Sequence, residues 1–541
     1  MKRWISALCM GLALLLLLSC AVLFAGCGPT AEEPEDEEEE QEQGQGQQQE
    51  QEQQQEEQKP RTGLEKYPKN STNYNYTHSQ NFAGGYDAGA TALRNEILNA
   101  PNTQELYAGK ITGQIIKISK NTLWSTAKAR IKSATAGDAV LLERGGLWRV
   151  GYDEDIYVNA GVILGAYGEG EKPKLYGSAK NYAGDSGWAR SEGNPNIWTI
   201  TLKKNKDVGL IVFDEVACLG VRMWSRADVK KTYDFYFDSA SRVLYLYYPD
   251  DLTADFTDIE IGQRASILQM YPNTVLDNIC LRYSGAFAVS AGHQINNVTI
   301  TNCEIGFIGG SQHHDEVRYG NGIQFGMGTN NTTVNHNWVY QCYDAGITFQ
   351  SWSVFDGNGN IKRQDSSYHN VEFSENLIEF CCYNIEYFTT NLEENGSYSD
   401  YRHIHIVDNV LRFAGYEWSY LQRPDPGMCS QIRGGQWAWV PDTEDFVISG
   451  NVFDCAGGSV VHWWWNDPIK NFNYPYPHPG LTVEQNTYYV AKPRYGFGLL
   501  YRDNTMVKIT DLASAQNAIA LFDTNPTAIV WIAKMGRETT S

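Results

Sequence analysis

From about residue 275 the chain alternates short apolar runs with single polar positions, in a pattern that returns six times. The segments start at Asn297 (NVTITNCEIGFIGG), Thr333 (TVNHNWVYQCYDAGITFQ), Val371 (VEFSENLIEFCCYNIEYF), Ile404 (IHIVDNVLRFAGYEWSYL), Phe446 (FVISGNVFDCAGGSVVHWW) and Leu481 (LTVEQNTYYV). Each holds a short alternating strand, an asparagine, a second apolar strand and usually a small-residue turn. A period of two predicts strands with one buried face. The asparagines are Asn302, Asn337, Asn376, Asn409, Asn451 and Asn486, separated by 35, 39, 33, 42 and 35 residues. Repeats of roughly 20–45 residues mark a solenoid. Uneven spacing predicts loops inserted at one corner of successive coils. An asparagine suits such a corner because its amide bonds the backbone of a tight turn and tolerates left-handed geometry. Stacked amides also bond one another along the axis.

This pattern resembles the right-handed parallel β-helix proteins over residues 110–495, the fold of many polysaccharide lyases and several glycoside hydrolases. The resemblance implies an all-β solenoid for residues 64–500. Upstream, Gly137–Arg149 (GDAVLLERGGLWR) reads as strand, glycine turn and strand, and Asp234–Tyr248 (DFYFDSASRVLYLYY) as a hairpin around Asp238–Ser241. These belong to the first coils and to a strand-rich insertion spanning about 180–262. After Tyr501 the pattern changes. Thr510-Asp511 before LASAQNAIALF predicts an N-capped amphipathic helix, followed by a strand in TAIVWI. Residues 501–541 are then a small cap that shields the open end of the stack from edge pairing.

The N-terminal end has a different logic. Lys2 and Arg3 precede an apolar run, Leu12–Leu18, that continues to Phe24 and ends in Ala25-Gly26-Cys27. Positive end, apolar middle and small residues form a secretory signal. Cysteine after the small pair resembles the lipobox of bacterial lipoproteins, with Phe24 where that family usually has leucine and Cys20 as a rival. The resemblance implies removal of residues 1–26, a lipid on Cys27 and anchoring at the outer face of the bacterial cell membrane. An ordinary signal peptide or a short anchor is the alternative, although the run is short for a ~20-residue span. Residues 27–63 follow, and from Ala31 to about Pro60 they are nearly all Glu and Gln with scattered Gly. They have no apolar periodicity, and read as a disordered, self-repelling tether.

The net charge of −21 owes much to that tether, since thirteen acids lie between Glu32 and Glu57. The remainder has no basic patch, which argues against nucleic acid as a partner. Eight cysteines follow Cys27, with no CxxC pair and no histidines at zinc-ligand spacing. They read as buried thiols acting as small apolar groups. No metal site is expected, Ca²⁺ entering only if the chain is a lyase, and a monomer is the expected state.

Alternation converts the repeat into columns. NGIQFG (Asn321–Gly326) aligns with AGITFQ (Ala345–Gln350) and YNIEYF (Tyr383–Phe388), with EWSYL (Glu417–Leu421) taken as the next strand. The inward positions are Ile323 and Phe325, Ile347 and Phe349, Ile385 and Tyr387, then Trp418 and Tyr420. The outward row is Gln324, Thr348, Glu386 and Ser419, flanked by Glu417 and Gln350 and extended by His462 and Trp464. Asp344 sits in the turn before its strand, one coil from Glu386. The expected separation of 5–6 Å would suit the carboxyl pair of a retaining glycosidase, roughly 5–5.5 Å apart. Asp344 is then the nucleophile and Glu386 the acid/base, with Glu417 as substitute. The bland reading is a turn-capping Asp344 and a solvated Glu386.

Two loops add candidates for a glycan-binding wall. Ser311–Gly322 brings His313, His314 and Arg318. Arg423–Val440 brings Arg423, Asp425, Trp437 and Trp439. Indole faces suit the apolar faces of sugar rings, and single tryptophans are as readily core residues. The strings RYGNGIQF, YDAGITFQ, YNIEYF and LQRPDP are also similar to a group of exported bacterial β-helix proteins linked to glycan breakdown. The readings are a retaining glycoside hydrolase, a polysaccharide lyase with His314 and Arg318 or Arg423, and a non-catalytic glycan-binding surface protein. In all three the partner is a polysaccharide or oligosaccharide.

Overall fold

The computed structural model describes residues 89–151, 156–214, 218–351, 357, 366–388, 399–416, 418–419, 422, 429–434, 442–463, 466–467, 472–473, 480–491 and 507–532. All belong to one compact unit, Tyr67–Ser541. The signal segment, Cys27 and the tether lie outside the described residues.

The repeat winds into a right-handed parallel β-helix with three long sheets. The first sheet has ten strands, from Ile115–Ile118 to Leu481–Glu484; the second also has ten, from Leu147–Arg149 to Ala528–Ile532. The third has eight, from Ile156–Val158 to Ser459–Trp463. One coil shows the order: Thr332–Asn335 in the first sheet, Trp338–Cys342 in the second, Ala345–Gln350 in the third, then Tyr368–Ser374 back in the first. Inward side chains of all three sheets fuse into one apolar core. It includes Ile323, Phe325, Ile347, Phe349, Ile385 and Tyr387, which are the positions the alternation selected.

The corner between first and second sheets carries the amide ladder. Asn337 donates from Nδ2 to Oδ1 of Asn376 (3.0 Å), Asn376 to Asn409 (2.9 Å), Asn409 to Asn451 (3.0 Å) and Asn451 to Asn486 (3.0 Å). Each Oδ1 also accepts the backbone N–H of the preceding asparagine at 2.9–3.0 Å. The row ends on a charge: Asp523 Oδ2 accepts from Asn486 Nδ2 (2.9 Å) and from the Tyr488 hydroxyl (3.0 Å). Asn302 stands one place off this row. Its φ of 53° puts it with His336 (52°), Glu375 (53°) and Asp408 (56°), the left-handed residues preceding the ladder. Cys303 occupies the ladder place, its N–H donating to Asn337 Oδ1 at 2.9 Å.

Both ends of the stack are closed. Ala127 and Ile131 of the helix Trp124–Ser133 enter the core near the first coils. At the other end lies the helix Leu512–Ala520, where Asp511 and Ser514 form a reciprocal capping box. The strand Ala528–Ile532 then pairs with Thr487–Ala491.

Between Tyr176 and Leu268 the chain leaves the coils to build two small sheets with a core of their own. The hairpin Asp234–Asp238/Val243–Tyr247 is part of it, with Phe235 opposite Leu246. The insertion meets the solenoid at glycines, and a Cβ on Gly209 would fall on the carbonyl of Gly309. Further along, the second sheet's outer face is covered by the helix Ala90–Leu98, whose Arg94 pairs with the fully buried Glu379 at 3.1 Å. No helix among the described residues is long and apolar enough to cross a membrane.

Candidate functional site

In the third sheet Ile347 pairs with Ile385 and Thr348 with Glu386. Since Ile385 and Tyr387 are in the core, alternation turns Glu386 to the outer face. The register carries this row through the sheet as Tyr157, Gln269, Ser290, Gln324, Thr348, Glu386, Arg433 and His462. Gln350, two places beyond Thr348, pairs with Phe388 beside it.

The strand after Tyr383–Phe388 is Ser430–Gly434 rather than Glu417–Leu421, so Arg433 stands where Ser419 was expected. Trp418 does not face the solenoid core. It packs on Tyr343, ring centres 5.3 Å apart, and donates from Nε1 to the carbonyl of Gln341 at 3.1 Å.

The row faces outward but is covered. Gln324 is 6% exposed, Thr348 0%, Glu386 2% and His462 5%. Arg433 Nη1 donates to Glu386 Oε1 at 2.7 Å, and its guanidinium lies over the Tyr383 ring, 4.5 Å from the centre. A carboxylate out of water is tolerable when a guanidinium meets it at hydrogen-bond distance. Gln324 Oε1 accepts from Asn321 Nδ2 at 2.8 Å. The Thr348 hydroxyl has no hydrogen-bond partner among the described residues. Leaving such a group unmet costs about 1–3 kcal/mol.

Connections around the row vary in length, and the one from Gly434 to Asp442 is as short as that from Ala291 to Thr299. Met270 to Val275, Ala291 to Thr299 and Phe325 to Thr332 are short links from the third sheet to the first. Those from Gln350 to Tyr368, Phe388 to Asp400 and Trp463 to Leu481 are long. The insertions at one corner therefore flank the rungs that carry Thr348, Glu386 and His462. Glu417, Arg423, Asp425, Trp437, Trp439 and Trp464 lie outside the described residues.

Asp344 falls elsewhere. It lies four residues before Thr348, the partner of Glu386, which is ~13 Å along an extended strand. The expected 5–6 Å separation is corrected on this ground: one coil apart in the stack is not the same height along the strand. Asp344 instead sits at the corner where the third sheet begins, its N–H donating to the carbonyl of Gly320 at 3.1 Å. A cleft of about 380 Å³ is lined by Lys206, Arg264, Phe287 and Tyr319, without Asp344.

His313 and His314 lie on an exposed hairpin, Gln312–His314 with Val317–Arg318. The His313 ring is 4.5 Å from that of Tyr319. Partial burial, then the charges of His314 and Arg264, hold its pKa below the usual imidazole value. Arg318 is 6% exposed and turned into the seam with the insertion. Its guanidinium lies 4.8 Å from the Trp224 ring centre, and its Nη1 donates to Gln422 Oε1 at 2.9 Å. Gln422, which the sequence did not mark, also accepts the N–H of Arg222 at 3.1 Å and so clips insertion to coil.

No family model matches the chain, and no curated protein matches it in sequence. Among solved structures it is similar to a glycoside hydrolase family 136 lacto-N-biosidase from Eubacterium ramulus. That match has 14% identity and a TM-score of 0.37, and covers 79% of this chain and 69% of the other. A family 28 exopolygalacturonase of Yersinia enterocolitica matches at 13% identity and TM-score 0.35, over 73% of this chain and 68% of the other. An alginate lyase from Paenibacillus matches at 11% and 0.32, over 70% and 90%.

Proposed function

We propose that the chain is a carbohydrate-active protein that takes a glycan against the outer face of the third sheet and hydrolyses it with Glu386. One observation carries the reading. A polar row of five consecutive rungs holds a covered carboxylate, Glu386, against Arg433 (2.7 Å), next to a buried hydroxyl at Thr348 that has no hydrogen-bond partner among the described residues. Amide, hydroxyl, carboxylate, guanidinium and imidazole on one face are the groups that bind sugar hydroxyls. The guanidinium favours the charged carboxylate, the form that acts as base or nucleophile. Asp344 is the next described carboxyl along the strand. At ~13 Å along the strand it is beyond the roughly 6.5–9.5 Å of an inverting pair as well as the 5–5.5 Å of a retaining one, so the reading rests on Glu386 alone. Export through the N-terminal signal and anchoring at Cys27 would place this face outside the cell, where glycans are met.

A lyase is the second reading, favoured by Arg433 and His462 on neighbouring rungs. A cation to neutralise a uronate and an imidazole to take the proton are what elimination needs. One assay separates the readings. Purified chain and the Glu386→Gln variant are incubated with a panel of neutral and acidic glycans. Hydrolysis predicts new reducing ends without ultraviolet absorbance, and a drop of about 10²–10⁴-fold in kcat for the variant, assayed below its own melting temperature with sheet content retained, since loss of the Arg433 partner also destabilises it. An unsaturated, absorbing product would replace hydrolysis by elimination. Binding without product, or full turnover by the variant, would remove Glu386 from the chemistry.

A further inference from the structure

Two thiols lie side by side one rung apart, just upstream of the ion pair. Cys382 and Cys429 are fully buried, and their Sγ atoms are 3.0 Å apart. The N–H of Ser430 donates to the Cys382 carbonyl at 3.0 Å and that of Ser459 to the Cys429 carbonyl at 2.7 Å. The two cysteines therefore hold equivalent places on neighbouring rungs, whose backbones are ~4.8 Å apart. That spacing lies within the roughly 4.4–6.8 Å between Cα atoms that a disulfide accepts, and the sulfurs need to close by about 1 Å. Cys381 does not compete, because its side chain belongs to the solenoid core and its thiol faces the carbonyl of Glu379 at 3.6 Å.

We propose that Cys382 and Cys429 form a disulfide that staples the coil of Glu386 to the coil of Arg433. Each cysteine stands four residues before its member of the ion pair, so the cross-link fixes the register in which carboxylate and guanidinium meet. It also bridges a sequence separation of 47 residues, which includes the long connection from Phe388 to Asp400. The oxidant is a small-molecule disulfide such as oxidised glutathione. One cysteine thiolate attacks it and releases a first thiol. The second cysteine thiolate then displaces the other half, and the two cysteine protons end on the two released thiols. Both sulfurs are closed off in the folded chain, so the bond forms while the coils are still closing. Inside the cell this rests on the proposed export to an oxidising compartment. The test below does not, and a failed glycan assay leaves it untouched.

The full chain is folded in a buffer of reduced and oxidised glutathione, with sheet content checked by circular dichroism. It is then alkylated in denaturant without reductant and digested. The expected result is a cross-linked peptide pair joining Cys382 to Cys429 that disappears on reduction, with Cys381 recovered alkylated. Cys429→Ser should leave Cys382 alkylated and lower the melting temperature by about 3–6 °C. Reductant should lower the parent's melting temperature and leave the variant's in place. Recovery of both cysteines as alkylated thiols from the folded, oxidised chain overturns the proposal, as does folding only when reductant is present.

Discussion

Lys172 is 3% exposed, and its ammonium donates to Asn278 Oδ1. Burial pushes its pKa down to about 8, against the pull of Cys303 and Asp277. Lysines of the unfolded chain titrate near ~10.4, so the folded chain gives up this proton first. Between those values the unfolded state binds more protons, and the contribution of Lys172 to stability rises with pH, by roughly 3 kcal/mol in all. Comparing the parent with Lys172→Met by thermal unfolding at pH 7 and pH 10 should show the gap move in the parent's favour. A gap independent of pH would mean that burial is not what moves this group. At the same scale, burial pushes the Cys303 thiol up to about 12, which suits an inert core thiol.

Among the elements, the third-sheet strand of each coil was readable where two large apolar residues mark its phase, as in Ile323/Phe325, Ile347/Phe349 and Ile385/Tyr387. It failed at Ser430–Gly434, which offers only Ile432 to the core. Trp418 and Tyr420 imitate the same alternation at Glu417–Leu421, but Trp418 packs on the outside of the stack. Arg433 therefore became visible as the partner of Glu386 only once strand register was known. The 5–6 Å carboxyl pair failed for a related reason, because sequence alignment of strands fixes the rung and not the reach along it. The asparagine ladder was legible at five of its places, while Asn302 answered to the left-handed turn beside it. These two roles differ in cost. Asn409 accepts from Asn376 and donates to Asn451 and the Phe373 carbonyl, so Asn409→Ala should destabilise by about 2–4 kcal/mol. Asn302→Gly keeps the left-handed backbone at φ 53° but loses one bond, from Asn302 Nδ2 to Asp277 Oδ1 at 2.8 Å, and should cost about 1–2 kcal/mol, less than the ladder asparagine. Chemical denaturation measures both, and equal losses would contradict the distinction.

On the scale of the whole molecule, a coil stack is stable only if its ends are protected. Ala515, Ala518, Ile519 and Phe522 seal the last coil, and Ala528–Ile532 covers the edge of Thr487–Ala491. Deleting residues 507–541 should therefore turn the chain into concentration-dependent oligomers in light scattering, and a truncated chain that stays monomeric would refute this. The amide row gives that end a second significance. Its side-chain N–H groups all point the same way, so their small dipoles add to a current-like bias running the length of the stack. Asp523 sits at the positive pole, as an anion sits at the start of a helix. Until the last segment docks, that pole faces nothing, and every upstream amide is polarised a little less. Closure of the final turn is thus felt by coils it never touches, which makes the stack behave as a single circuit completed by one carboxylate.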